Sequence, residues 1–137
     1  MSEYTKFFVS NKIAIYSHDL KSVLIMTYPR RAIFGLPGGH LDPGEEPETG
    51  MARELEEELG ISVENIEKAG FFMRNFLDVD GATVILAYKT VAPEGFETHP
   101  TDFDKEHALW MTPEEIPALD MSEGYKKFIL ENWPTNA

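Results

Sequence analysis

The sequence predicts a mixed α/β domain in which helices cover a sheet. Three observations point there. Short apolar runs rich in β-branched and aromatic residues recur along the chain, two segments carry apolar residues at helical spacing, and the two kinds interleave as β-β-loop-α-β-β-β-α-α. The length of 137 residues suits one domain, 1–137. A hydrophobic fraction of 42% supplies a core and excludes a disordered chain.

In order, Lys6 to Tyr16 reads as a strand, with Ile13 and Ile15 alternating against more polar neighbours. His18-Asp19-Leu20-Lys21 reads as a turn, and Ser22 to Tyr28 as a second, largely buried strand that ends at Tyr28-Pro29-Arg30-Arg31. Between residues 35 and 47 stand four of the ten glycines and three of the nine prolines, a density that predicts a tightly bent loop without regular structure. A helix from Pro47 to Leu59 follows. Proline suits its first turn, Glu48 its positive end, and Gly60 the position just past its C-terminus. Glu67 to Asp78 and Ala82 to Val91 read as strands joined by an Asp80-Gly81 hairpin signal. A polar loop runs from Ala92 to Lys105, and a short strand from Glu106 to Met111. Thr112-Pro113-Glu114-Glu115 has the order of a capping box and predicts a short helix stopped by Pro117. Tyr125, Phe128, Ile129 and Trp133 lie at helical spacing and predict a C-terminal amphipathic helix.

Charge narrows the function. Twenty-four acidic residues against twelve basic ones leave a net charge of −12. Such a surface repels phosphate backbones and anionic lipid, so neither long nucleic acid nor a membrane is an expected partner. A small anionic ligand then needs a metal ion or a local basic patch. No apolar run approaches the roughly 20 residues of a membrane-spanning helix. Met1 to Thr5 is polar and has no signal-peptide pattern, and there is no cysteine, which removes disulfides, thiolate metal sites and cysteine nucleophiles. A cytoplasmic location is the expectation.

Some of the acids are arranged for chemistry. On a helix at about 100° per residue, Glu58 falls about 40° to one side of Glu54 and Glu57 about 60° to the other. Met51, Ala52, Leu55 and Leu59 form the expected buried stripe beside them, and Glu56 points away. Like charges at these spacings cost roughly 0.2–0.5 kcal/mol per pair on an exposed helix, more where a loop shields them. Arg53, four residues before Glu57, relieves part of the repulsion. A divalent cation relieves more, and hard carboxylate oxygens suit Mg²⁺ or Mn²⁺. Mg²⁺ held this way completes its shell with water and substrate phosphates. A solvated acidic helix face is the competing reading.

The preceding loop changes the weighting. Gly39, Glu45, Arg53, Glu54, Leu55, Glu57, Glu58, Gly60 and Ile61 occupy all nine fixed positions of the pattern G-x5-E-x7-R-E-U-x-E-E-x-G-U, where U is a bulky aliphatic. A chance match in a chain of this composition has a probability on the order of 10⁻⁷. The segment GHLDPGEEPETGMARELEEELGI, residues 39 to 61, resembles the Nudix box, and Leu36-Pro37-Gly38-Gly39 and Glu106 to Trp110 are similar to its usual flanks. The resemblance implies a Nudix fold, a mixed sheet between helices. It also implies Mg²⁺- or Mn²⁺-dependent hydrolysis of a pyrophosphate bond in a nucleoside diphosphate derivative. Carried over by position, Glu54, Glu57 and Glu58 are the metal ligands, with the Gly38 carbonyl as a further one. Arg53 orients the catalytic glutamates, Glu45 ties the loop to the helix, and Gly39 permits the tight turn. Glu54 and Glu106 are both candidates for the general base; His107 is a third, and His40 a candidate phosphate contact.

The resemblance leaves the substrate open. No S-Q-P-W-P-F-P-like element follows the box, which disfavours an NADH pyrophosphatase. Phe76-Leu77-Asp78-Val79 stand where a proline or tyrosine would mark ADP-ribose or dinucleoside polyphosphate enzymes. The short chain and the Leu-Pro-Gly-Gly-His start are similar to nucleotide-sanitising members, which cleave nucleoside triphosphates to monophosphate and pyrophosphate. Phe8, Phe34, Phe72 and Phe76 are candidates for base stacking, and Arg30 and Arg31 for terminal phosphates. The alternatives are a catalytically silent nucleotide sensor, a pyrophosphatase for ADP-ribose or a nucleotide sugar, and an enzyme removing 5′ pyrophosphate from RNA. Proteins that look like this are commonly homodimers, so a homodimer is compatible with the reading.

Overall fold

The computed structural model describes residues 6–28, 33–74, 81–97 and 107–135. Seven strands and two helices follow in the order β1 (Phe8–Tyr16), β2 (Val23–Tyr28), β3 (Ile33–Gly35), β4 (Gly38–His40), α1 (Pro47–Leu59), β5 (Glu67–Arg74), β6 (Thr83–Val91), β7 (His107–Met111) and α2 (Glu123–Glu131), with a 3₁₀ turn at Ile116–Ala118. All seven strands belong to one mixed sheet, whose main order is β3-β2-β1-β6-β5, with β4 beside β1 and β7 beside β2. β1 is its spine. One edge runs parallel to β6 along its full length, from Phe8↔Thr83 to Tyr16↔Val91. The other edge is shared: β4 pairs at Ser10–Lys12, and β2 joins at Tyr16↔Val23.

The helices take opposite faces. Met51, Leu55 and Leu59 of α1 pack on Ile13, Ile15, Leu24, Met26 and Tyr88. Tyr125, Phe128 and Ile129 of α2 pack on Ala14, Tyr16, Val23, Ile25 and Ile85. β1 is therefore buried on both faces over Ile13–Tyr16, because two helices sandwich it, and the expected polar neighbours of Ile13 and Ile15 belong to a second core. Each fully buried aliphatic side chain contributes roughly 1.5–3 kcal/mol.

Four expectations need correction. The glycine–proline segment is not devoid of regular structure: its glycines let β4 lie close against β1. At Gly38 (φ +135°) an added Cβ would come within 1.9 Å of the Asn11 carbonyl oxygen. Ala52, at the edge of the expected buried stripe, is exposed; the stripe is narrower and consists of Met51, Leu55 and Leu59. The capping-box bonds form, Thr112 donating from N and Oγ1 to Glu115 Oε1 at 3.1 and 3.0 Å, but they close a turn. Pro117 follows at once, and only the three-residue 3₁₀ turn develops. Finally, α2 stops at Glu131, and Trp133 reaches the core from beyond it, edge-on to Tyr16 with its Nε1 donating to the Leu20 carbonyl at 2.7 Å. β5 is described as far as Arg74, and β5 and β6 pair antiparallel, as the hairpin signal requires. Asp80 and the end of the expected strand at Asp78 lie outside the described residues. Among the described residues, no helix is long and apolar enough to cross a membrane.

Candidate active site

α1 is held at both ends. Pro47 opens it with Glu48 in the first turn, and Gly60 closes it in a left-handed conformation (φ 64°), its N–H donating to the Glu56 carbonyl at 3.0 Å. From the sheet, the buried Asn11 side chain donates Nδ2 to the Pro47 carbonyl at 2.7 Å. Asn11 pairs with Gly39 across β1 and β4, so one residue couples the helix start, through its side chain, to the glycine strand, through its backbone.

The acidic face is organised around one guanidinium. Arg53 grips Glu45 with two bonds, Nε to Oε2 at 2.6 Å and Nη2 to Oε1 at 2.9 Å. The same Arg53 donates from Nη1 to Glu57 Oε2 at 2.9 Å and from Nη2 to Glu54 Oε1 at 3.2 Å. Asp42 Oδ2 stands 3.5 Å away. Glu45 also accepts the Asp42 N–H at 3.1 Å, which makes the loop double back on itself. The hydrogen bonds from Arg53, with that N–H, hold the Glu45 carboxyl down at about 2. In return Arg53 is raised above its ordinary value, chiefly by the bonds it donates to Glu45.

The carboxylates differ in access. Glu54 is largely covered (14% exposed) and Glu57 is open (60%). Glu58 is half-buried, with its Oε2 sealed from solvent. Glu54 lies against β4: a Cβ on Gly39 would fall 2.7–2.8 Å from its carboxylate atoms. The structure thus brings Arg53, Glu54, Glu57, Glu45, Gly38 and Gly39 into one region. Glu106, Arg30, Arg31 and Phe76 to Val79 lie outside the described residues. His107 enters β7 opposite Thr27. His40 bonds through Nδ1 to Ser10 Oγ at 3.0 Å, and its ring stacks obliquely on the exposed Phe8 at 5.8 Å. Phe72 is committed to the α2 side, against the rings of Tyr125 and Phe128, and Phe34 packs on the same core.

The donor set fits a hard divalent cation in kind, being carboxylate oxygen throughout on one rigid face. Among the described residues no three acid or histidine side chains converge as ion ligands, and Arg53 bonds two of the candidate carboxylates, Glu54 and Glu57. Three positioning residues escaped the sequence reading. Asn11 is one. Gly50 is a second: a Cβ there would meet Glu45 Oε1 and Leu41 Cδ2, both at 2.8 Å, so a helix-weakening glycine makes room for the Glu45 carboxylate. Lys12 is the third, its Nζ donating to the carbonyls of Leu36 at 3.3 Å and Gly38 at 3.2 Å. The signal was present as Ser10-Asn11-Lys12, three polar residues inside an otherwise apolar strand.

The NUDIX domain family model matches residues 12–131. The chain belongs to the NUDIX family. Its architecture is that of solved NUDIX structures: a MutT NUDIX hydrolase from Burkholderia pseudomallei superposes with a TM-score of 0.79 at 23% identity, over 93% of this chain and 98% of the other. Among relatives, a MutT-like protein of Streptomyces ambofaciens is 37% identical over 96 residues, 70% of this chain and 58% of its own length. The chain thus spans little more than half of that relative. The oxidized purine nucleoside triphosphate hydrolase of Mus musculus is 25% identical over 114 residues, covering 74% of this chain and 71% of the mouse protein. The loop and helix of the motif at residues 39–61 form the face just described.

Proposed function

We propose that this NUDIX hydrolase cleaves a (deoxy)nucleoside triphosphate to monophosphate and pyrophosphate, using Mg²⁺ or Mn²⁺ held by Glu54, Glu57 and Glu58. One observation carries the reading: a single arginine of α1 binds the loop carboxylate Glu45 and the helix carboxylates Glu54 and Glu57, and Glu54 lies directly against Gly39. The relatives support the same class of substrate, since the mouse protein acts on oxidized purine nucleoside triphosphates.

When bound, the metal neutralises charge on the anhydride oxygens. The chain's own part is to place and deprotonate. Arg53 fixes the rotamers of Glu54 and Glu57, and Glu45 fixes Arg53. A carboxylate, Glu54 or Glu106, takes the proton of the attacking water as the new P–O bond forms. The bridging P–O bond between the α- and β-phosphorus breaks, and the departing phosphate group takes the electron pair. Of the two, Glu54 is the candidate whose surroundings are described: it is mostly withdrawn from solvent and touches both Arg53 and β4.

The test is a Mg²⁺-supported panel of nucleoside triphosphates, ADP-ribose, nucleotide sugars and dinucleoside polyphosphates, with products resolved by chromatography. Nucleoside monophosphate and pyrophosphate from the triphosphates, abolished by a chelator, is the expected result. Preferential cleavage of ADP-ribose or a nucleotide sugar would replace the substrate assignment. Tight binding without turnover across the panel would make the domain a nucleotide sensor.

A further inference from the structure

Lys12 stands on the central strand of the sheet, half-buried, two residues from the fully buried Ala14. An ammonium taken partly out of water needs acceptors. Lys12 finds two of them in the carbonyls of Leu36 (3.3 Å) and Gly38 (3.2 Å), which flank Pro37. Gly38 is the direct partner of Lys12 in the β1–β4 ladder, so the ammonium folds back onto its own cross-strand neighbour. The next residue, Gly39, abuts the Glu54 carboxylate. A fixed cation therefore rests on the one backbone oxygen that the resemblance to the family assigns to the metal.

An ammonium and a divalent ion repel each other at that oxygen. We propose that Lys12 is a built-in competitor for the divalent cation: its ammonium occupies the Gly38 carbonyl, and metal gains that ligand only by displacing it. The inference rests on the metal reading given above. Two consequences follow. Metal affinity in the absence of substrate is held below what the carboxylates alone would give. Metal binding also releases a positive charge beside the glycine strand, in a protein whose net charge is −12 and whose proposed substrate is a polyanion.

The experiment is Mn²⁺ binding, followed by the loss of the free-ion electron paramagnetic resonance signal, in the parent protein, Lys12→Met and Lys12→Arg. Removing the positive charge that lies 3.2 Å from the Gly38 carbonyl oxygen is expected to tighten Mn²⁺ binding about tenfold in Lys12→Met. Lys12→Arg keeps the charge and should bind like the parent. A merely structural lysine would change the melting temperature and leave Mn²⁺ affinity where it was. In case Lys12→Met fails to fold, the parent protein supplies the second readout. In a Mg²⁺ titration, the Lys12 side-chain ammonium resonance, assigned by its absence from Lys12→Arg, should move along the same isotherm as the α1 amides. Equal Mn²⁺ affinity in all three proteins, or a Lys12 resonance that stays still while the α1 amides saturate, would overturn the proposal. Failure of all three to bind Mn²⁺ would overturn the metal reading itself, and is distinguishable because no isotherm appears at all.

Discussion

Arg53 shows how one side chain turns a repulsive helix face into an ordered one. Its bidentate hold on Glu45 keeps that carboxyl near 2, against an ordinary value of 4.5. The sign of the linkage follows. A depressed carboxyl contributes stability that is fully present above the unfolded value and is lost as pH falls through the folded one. Denaturant midpoints should therefore fall between about pH 4.5 and pH 2, and Arg53→Gln should lower the plateau and flatten that fall. A parallel pH profile in the variant would remove Glu45–Arg53 as its source. Gly50 gives a second check. Alanine is better than glycine in a helix interior by about 1 kcal/mol, so Gly50→Ala should stabilise an ordinary helix. Here the new Cβ would press on a carboxylate already fixed by Arg53 and the Asp42 N–H. The expected outcome is a lower melting temperature in calorimetry, and a rise would mean that Glu45 yields freely. Glu54, Glu57, Glu58 and Arg53 were legible as candidates from helical spacing, and Glu45 from the resemblance to the Nudix box. Lys12 and Asn11 were not, because each acts across a contact between segments far apart in sequence, and Gly50 was not, because its role depends on where the Glu45 side chain folds back.

At the scale of elements, α1 was the most legible part of the chain. A proline at its first position, a glycine past its end and a 3.6-residue apolar period all agree, and its bounds fall at Pro47–Leu59 as expected. Ala52 was misplaced because periodicity marks a direction on the helix, whereas burial depends on how far the sheet extends in that direction. β4 was missed for the opposite reason: glycine density reads as loop until a partner strand supplies the ladder, and β1 is that partner. The β4–α1 contact makes a prediction of its own. Gly39→Ala would place a methyl 2.7–2.8 Å from the Glu54 carboxylate, which must then rotate away. Turnover should fall by about 100-fold or more, as for a displaced catalytic group, while far-ultraviolet circular dichroism stays native. Retained turnover would show that the position of Glu54 against β4 is immaterial.

For the whole molecule, the sandwich explains why the site sits where it does. Two cores on opposite faces of one sheet fix α1 and α2 independently, and Glu54 lies where α1 meets the short strand β4 at the rim of the first core. The acidic surface, with a net charge of −12, makes an unassisted polyanionic ligand unfavourable, so function should depend on a divalent ion throughout. The most direct test is steady-state hydrolysis of a nucleoside triphosphate by the parent protein and Glu57→Gln under saturating Mg²⁺, with folding checked by thermal unfolding. Glu57 is open to solvent and bonded to Arg53, so its loss should leave the melting temperature nearly unchanged. The account predicts a fall in kcat of about 100-fold or more. Undiminished turnover in a folded Glu57→Gln protein would contradict the assignment of the α1 carboxylates as the metal-binding centre.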